Sequence, residues 1–176
     1  MKYFVKLFVV TFFLIISTHT FAFAEQKIVV LDMKKVLNQS KAGKGAQDYL
    51  KKSFNNNVKK FTELEKTLKK NEKDLLAKKT VLNKADYTKK SDTLRKKVID
   101  YQSQRRASLD KISTLRAKSR ETLIKKITPI VDDYIKENNI SIVMDKKSMI
   151  GGLNEYDITE EIIKRLNKEL PSLDLK

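Results

Sequence analysis

A mainly α-helical fold with a small β part, built as a long antiparallel helical hairpin set into a small α/β body, is what this sequence predicts. Three observations carry that expectation. From Ala46 to Glu137 there is no glycine and a single proline, Pro129, in a stretch rich in Lys, Leu, Glu, Asp and Ala that is helical on propensity alone. Apolar residues along it recur every seven positions, the mark of a helix packed along a narrow stripe. Short β-branched runs lie on either side of it, near the two ends of the chain.

Taken in order, the chain opens with Lys2 and Lys6, an apolar run from Leu7 to Ile16, and Ala22-Phe23-Ala24 before Glu25. This is the pattern of a secretory signal, residues 1–24, cleaved after Ala24. The apolar run is about half of the roughly 20 residues a spanning helix needs, and no later segment is long and apolar enough to span a bilayer. Ile28-Val29-Val30-Leu31, within Lys27 to Asp32, reads as a buried strand, and Met33 to Ser40 as a brief helix. Lys41-Ala42-Gly43-Lys44-Gly45 is punctuated by glycine and marks a joint.

The arm follows, over 42–137. Phe54, Phe61, Leu68, Leu75 and Leu82 repeat at seven, with Leu50 and Leu64 on the alternate position; Asn57, Asn71 and Lys78 interrupt it. Tyr87, Leu94 and Tyr101 continue the repeat with Val98 between them. The seam then shifts through Leu109, Ile112, Ser119, Leu123, Ile127 and Ile130, consistent with a stutter near Arg105. A hairpin gives each stripe a partner in the same chain. Its tip is expected near 81–87, where Asn83 and Asp86 offer a stop and a new cap, and each arm of about 40 residues would reach roughly 60 Å. Pro129 should kink the returning helix.

After Asn138-Asn139, Ile140 to Asp145 reads as a second strand, and Ser148 to Gly151 as a candidate third, turned through Asp145-Lys146-Lys147. Gly151-Gly152 breaks the chain. A closing helix opens with Asp157 and Glu160 as a capping box or with Thr159 as the cap, buries Ile162, Ile163, Leu166 and Leu170, and ends at Pro171. Residues 25–41 and 138–176 thus form one small body, and its short strands leave unpaired edges that argue for oligomerisation.

Composition narrows the chemistry. With 1–24 removed, the 152 residues left have no Cys, His or Trp, and only Phe54 and Phe61 remain of eight Phe. That excludes Cys and His nucleophiles, His general bases, and zinc or transition-metal sites built on imidazole or thiolate. No catalytic residues, metal or cofactor are expected. Charge is uneven: 42–137 holds 26 basic and 13 acidic residues, net +13, against +2 for 25–41 and −1 for 138–176.

The order strand, helix, basic hairpin, strand, helix resembles the Skp/OmpH family of periplasmic chaperones over essentially the whole chain after residue 24. Lys27-Ile28-Val29-Val30-Leu31-Asp32-Met33 is similar to that family's first strand and following helix. Ile140-Ser141-Ile142-Val143-Met144-Asp145, then Asp157-Ile158-Thr159 and an amphipathic helix, is the more specific match. The resemblance implies a homotrimer in the periplasm whose strands build a central β-barrel base. Three hairpins hang from it around a cavity that holds unfolded outer-membrane proteins without ATP on their way to the outer membrane.

Within that frame the candidate client-binding residues are Lys59, Lys60, Lys69, Lys70, Lys78, Lys79, Lys89, Lys90, Lys96 and Lys97. Arms this basic attract acidic chains and anionic membrane surfaces, more weakly as salt rises, and lysine stems can cover apolar segments while their ammonium groups stay wet. Seam residues Phe54, Phe61, Leu68 and Tyr101 are expected to pack the hairpin rather than touch clients. Arg105, Arg106, Arg116, Lys118 and Arg120 form a basic cluster in which the resemblance implies a lipopolysaccharide or anionic-lipid site. One alternative is a non-catalytic envelope coiled-coil adaptor or spacer, which would show a single tight partner. Specific nucleic-acid binding is a poorer one, since no base-reading motif or aromatic platform accompanies the charge.

Overall fold

The computed structural model describes residues 26–175 and, ahead of them, Tyr3 alone. The signal segment expected over 1–24 otherwise lies outside the described residues. Mainly helical with a small strand part, the chain runs β1 (Ile28–Leu31), α1 (Met33–Gln39), α2 (Lys41–Ala77), α3 (Lys84–Glu137), β2 (Ile142–Asp145), two single 3-10 turns (Lys146–Ser148 and Asn154–Tyr156) and α4 (Thr159–Glu169).

β1 is the spine of the body. It pairs in parallel with β2, Ile28 opposite Ile142 through Leu31 opposite Asp145, and parallel neighbours need a crossover, here the whole hairpin. Its other edge is closed by the segment before α4: Val30 bridges Asp157, and the Ile158 N–H donates to the Val30 carbonyl at 2.9 Å. Val29, Val30 and Leu31 are buried accordingly. Just beyond, the Asp32 N–H donates to the buried Thr159 hydroxyl at 2.9 Å, and the Asp32 carboxylate caps α1 by accepting from the Lys35 N–H at 2.7 Å.

The joint expected across Lys41 to Gly45 is a single residue, Ser40. Its ψ of 152° ends α1, and its wholly buried hydroxyl accepts from the Gly43 N–H at 3.2 Å to start α2. Both glycines are helical. A Cβ on Gly43 would lie 1.9 Å from the Leu37 carbonyl oxygen, whereas one on Gly45 would meet nothing within 4 Å. The glycine at 43 therefore serves close approach of α1 to α2, not flexibility. Gly43→Ala is expected to cost at least about 1–3 kcal/mol through overpacking against backbone, and Gly45→Ala to be neutral or stabilising; urea midpoints of the two variants check this.

The reversal occupies Lys78–Asn83, starting before the expected 81–87. Leu82 and Val81 donate back to the Lys78 carbonyl, and the Asn83 side chain caps α3 by accepting from the Asp86 N–H at 2.9 Å while its amide donates to the Asp86 carboxylate at 2.7 Å. α3 is longer than α2, 54 residues against 37, or about 81 Å against 56 Å. The surplus carries Leu123, Ile127 and Ile130 into the body, with Pro129 inside the helix. Asn139, at φ 52°, turns the chain out of α3 in the left-handed conformation that asparagine tolerates.

Along α3 the buried or half-buried face runs Tyr87, Leu94, Tyr101, Ser108, Leu115, an unbroken heptad. The stutter expected near Arg105 is absent there. The spacing breaks from Ser119 through Leu123 and Ile127 to Ile130, an 11-residue unit at the root. Leu109 is 43% exposed and off the seam, because Ser108 takes its place.

The candidate third strand at Ser148 to Gly151 does not form. Asp145 accepts from the Lys147 N–H at 3.1 Å, which folds the chain into a 3-10 turn and leaves Ile150 wholly exposed. Neither expected cap opens α4. Asp157 accepts from the Thr159 N–H at 2.9 Å, Glu160 instead pairs with Lys35 at 2.6 Å, and the Thr159 hydroxyl is turned to β1.

The core is one cluster of buried side chains drawn from β1, α1, the root of α3 and α4, with Val36, Ile127, Ile162 and Leu166 wholly enclosed. Arg165 ties α4 to the end of α3, donating to Glu137 at 2.7 Å and standing 4.8 Å from the Tyr134 ring. That bond holds the Glu137 carboxyl below its usual range. Burial alone would raise the Asp157 carboxyl, but Lys146, at 2.5 Å, and Thr159 together keep it low. Carboxylates depressed in the folded state stabilise it above their unfolded values near 4 and lose that contribution as pH falls through the folded ones. Urea midpoints are therefore expected to stay level from about pH 7 to 5 and to fall below about pH 4.

Candidate functional site

Every one of the ten candidate lysines is exposed. Lys59, Lys60, Lys69 and Lys70 stand on α2, Lys78 and Lys79 in the reversal, and Lys89, Lys90, Lys96 and Lys97 on α3. The fold gathers Lys78, Lys89, Lys90 and Lys97 around an open depression of about 550 Å³ near the tip, with Asp74 and Asp86 on its walls. Lys60 lies 5.4 Å from the centre of the Phe61 ring. Lys69 differs from the rest: it pairs with Glu65 at 2.8 Å, which lowers the Glu65 carboxyl and raises the Lys69 ammonium.

Along 42–137, pairs within one helix engage Lys66, Lys69, Arg95, Lys125 and Lys136. The other 21 of the 26 basic residues make no ion pair within 4.0 Å among the described residues. The arms thus carry a net positive charge, with few of their basic groups held in direct ion pairs. The five pairs that do exist are solvent-exposed and contribute little to stability.

The cluster expected at Arg105, Arg106, Arg116, Lys118 and Arg120 is divided. Arg105 borders a cleft of about 130 Å³ between the arms, beside Phe61 and Tyr101. Arg116 and Arg120, one turn apart, face a root groove of about 650 Å³ between α1, α2 and α3. Arg106 and Lys118 are exposed and border neither. Four residues apart on a helix share a face; two apart do not.

Phe61 packs edge-on to Tyr101, ring centres 5.9 Å apart, and Tyr101 and Leu68 are half-buried, so these hold the hairpin together. Phe54 departs from the expectation. It is 45% exposed and forms part of the walls of both the cleft and the root groove. Other large apolar side chains also face solvent among the lysines: Val58, Leu76 and Ile99 off the seam, and Leu64 and Leu109, which were expected on it. The sequence signal was there, since Val58 precedes Lys59-Lys60 and Ile99 follows Lys96-Lys97, but residues off the seam carry no periodic pattern.

At the far end, β2 leaves its outer edge unpaired among the described residues. Ile142 and Met144 are 48% and 40% exposed on it, and Ile150, Leu153 and Tyr156, on the connection from β2 to α4, are exposed as well. An open edge with apolar side chains around it is a template for pairing with another chain.

Comparison with known proteins accords with this geometry. A family model described as outer membrane protein (OmpH-like) matches residues 27–166. A Skp-like protein of Pseudomonas aeruginosa is 26% identical over 151 residues, which are 84% of this chain and 88% of that protein. An uncharacterized protein of Aquifex aeolicus is 31% identical over 138 residues, 78% of this chain and 84% of its own. A crystal structure from Caulobacter crescentus, described as that of a candidate outer membrane chaperone (OmpH-like), has a TM-score of 0.77 at 17% identity and covers 86% of this chain and 89% of that one. At that identity the likeness is one of fold.

Proposed function

Because the chain belongs to the OmpH-like outer membrane protein family, we propose that it is an ATP-independent holdase of the periplasm. In this role it binds unfolded outer-membrane proteins and prevents their aggregation in transit. Residues 1–24 direct export and are removed after Ala24. Three chains join through the open edge of β2 and the apolar side chains around it, closing a β-barrel base from which the hairpins project. Anionic lipid surfaces are a secondary partner of the same basic arms.

The observation that carries this reading is the cationic surface of the arms, where 21 basic side chains lack an ion pair among the described residues. A trimer would carry about +39 on its arms, enough to draw acidic unfolded chains from beyond contact distance. Val58, Leu64, Leu76, Ile99 and Leu109, exposed between the lysines, then supply weak apolar contacts. Capture is by charge, and retention is loose and reversible.

Light scattering of a denatured outer-membrane β-barrel protein diluted from urea tests it. Suppression of aggregation is expected at about 0.05 M salt and is expected to fade towards 1 M, where the screening length shrinks to about 3 Å. No suppression at low salt, or suppression indifferent to salt, refutes the reading.

A further inference from the structure

Exposed apolar side chains of the two arms converge on the cleft of about 130 Å³ between α2 and α3. We propose that this cleft receives a single aromatic side chain of an unfolded client, with an acidic residue beside it held by Arg105. The proposal rests on the holdase reading and gives its loose apolar contact a fixed place and a side-chain preference. Phe54, Val58 and Leu109, which are 45%, 48% and 43% exposed, line the cleft together with the edge-on pair of Phe61 and Tyr101. Asn57 and Ser108, both half-buried, line it too. Short polar side chains on the packed face leave open the space that two leucines would fill.

Size and wall chemistry select a ring. A cavity of roughly 150 Å³ holds one benzene, so the cleft has room for one aromatic side chain and not for an acyl chain or a helix. A ring is favoured over an aliphatic side chain of similar bulk because Phe54, Phe61 and Tyr101 are themselves rings that reward edge-on or offset contact. Arg105 adds a guanidinium that stacks on an aromatic face. The Asn57 amide and the Ser108 hydroxyl supply donors and acceptors for the N–H and C=O groups of the client's backbone, which a wholly apolar cleft would leave unmet.

Charge selects the neighbour of that ring. Glu65, the carboxylate on the cleft, is already engaged: it pairs with Lys69 at 2.8 Å and accepts from the Tyr101 hydroxyl at 3.5 Å. Arg105 helps from a distance to hold that carboxyl low, but it makes no ion pair within 4.0 Å among the described residues. Its donors are open to a client's carboxylate. A second copy of this chain is a poorer occupant, because each arm carries a net charge of +13 and two such arms repel.

Fluorine NMR of a short glycine and serine peptide carrying one para-fluorophenylalanine followed by aspartate, titrated with the full exported chain, tests this. The peptide is expected to saturate. Its phenylalanine counterpart should displace it at least about fivefold better than an alanine counterpart of equal charge, and at least about twofold better than a leucine one. Asn57→Leu with Ser108→Leu fills the cleft without altering the charge of the arm, and should bring the phenylalanine and alanine peptides to within about twofold of each other. Arg105→Gln should remove an advantage of about threefold that aspartate beside the ring holds over aspartate at the far end of the peptide. Arg106→Gln, an equal charge loss outside the cleft, should not. The comparison of peptides on the unaltered protein needs no variant. Equal displacement by the phenylalanine and alanine peptides, a preference that survives filling of the cleft, or equal effects of the two arginine exchanges overturns the proposal. So does a fall in native mass of the filled variant, which would make the cleft a contact between copies. A protein that suppresses aggregation without distinguishing the peptides overturns this proposal alone; one that distinguishes them without suppressing aggregation refutes the holdase reading alone.

Discussion

Leu166→Ala is expected to remove about 2–5 kcal/mol of stability, a large share of the 5–15 kcal/mol typical of a folded domain. Leu166 is wholly buried in a cluster of only thirteen buried side chains, so few neighbours are free to close the space it leaves. It belongs to the last helix of the chain, which packs against α1 and α3, and losing it loosens α4 from both. By contrast, Leu68→Ala removes a half-buried seam residue from a pair of exposed helices and should cost markedly less. Urea denaturation of the two variants, followed by circular dichroism, separates them. Equal midpoints would mean that the hairpin, not the body, holds the fold together.

Ile142→Lys combined with Met144→Lys is expected to reduce the native mass threefold, from that of a trimer to that of one chain. Both side chains stand on β2, whose outer edge is unpaired among the described residues, and are substantially exposed in the single chain, so lysine costs little there. In an assembly that closes the sheet, the same positions would bring like charges from three chains together without water. Helix content should be unchanged, because neither residue belongs to the core cluster. Mass determination by light scattering after gel filtration checks the result, and an unaltered mass refutes assembly through this edge. If the trimer is also what surrounds a client, the monomeric variant should lose aggregation suppression even though its arms keep every lysine.

The elements that failed to form as expected share a cause. Ser148 to Gly151 has strand-like composition, but the Asp145 carboxylate captures the Lys147 N–H and bends the chain first. Gly43 and Gly45 look alike in the sequence, yet only one sits under a neighbouring carbonyl. Leu109 stands off the seam because Ser108, a polar residue, holds the seam position, and hydrophobic periodicity is blind to polar residues on a packed face. The turn began early for a similar reason, since Asn83 marks the start of α3 but nothing marks the end of α2 at Ala77.

Binary pattern and composition determined the long helical pair, the strands at each end, the basic arms, and the lack of cysteine and, from residue 25 onward, of histidine, because each is a property of residue type and spacing along the chain. Tertiary structure alone decided which basic residues share a surface. Arg116 and Arg120 face the groove and Lys118 does not; among the described residues Lys69 is paired and Lys70 is not. It also decided that Phe54 is exposed while Phe61, in the same repeat, is enclosed by Tyr101. A seven-residue repeat states that side chains point the same way, but whether they are covered depends on how closely the facing helix approaches, and that is a property of the packed pair and not of either stretch of sequence.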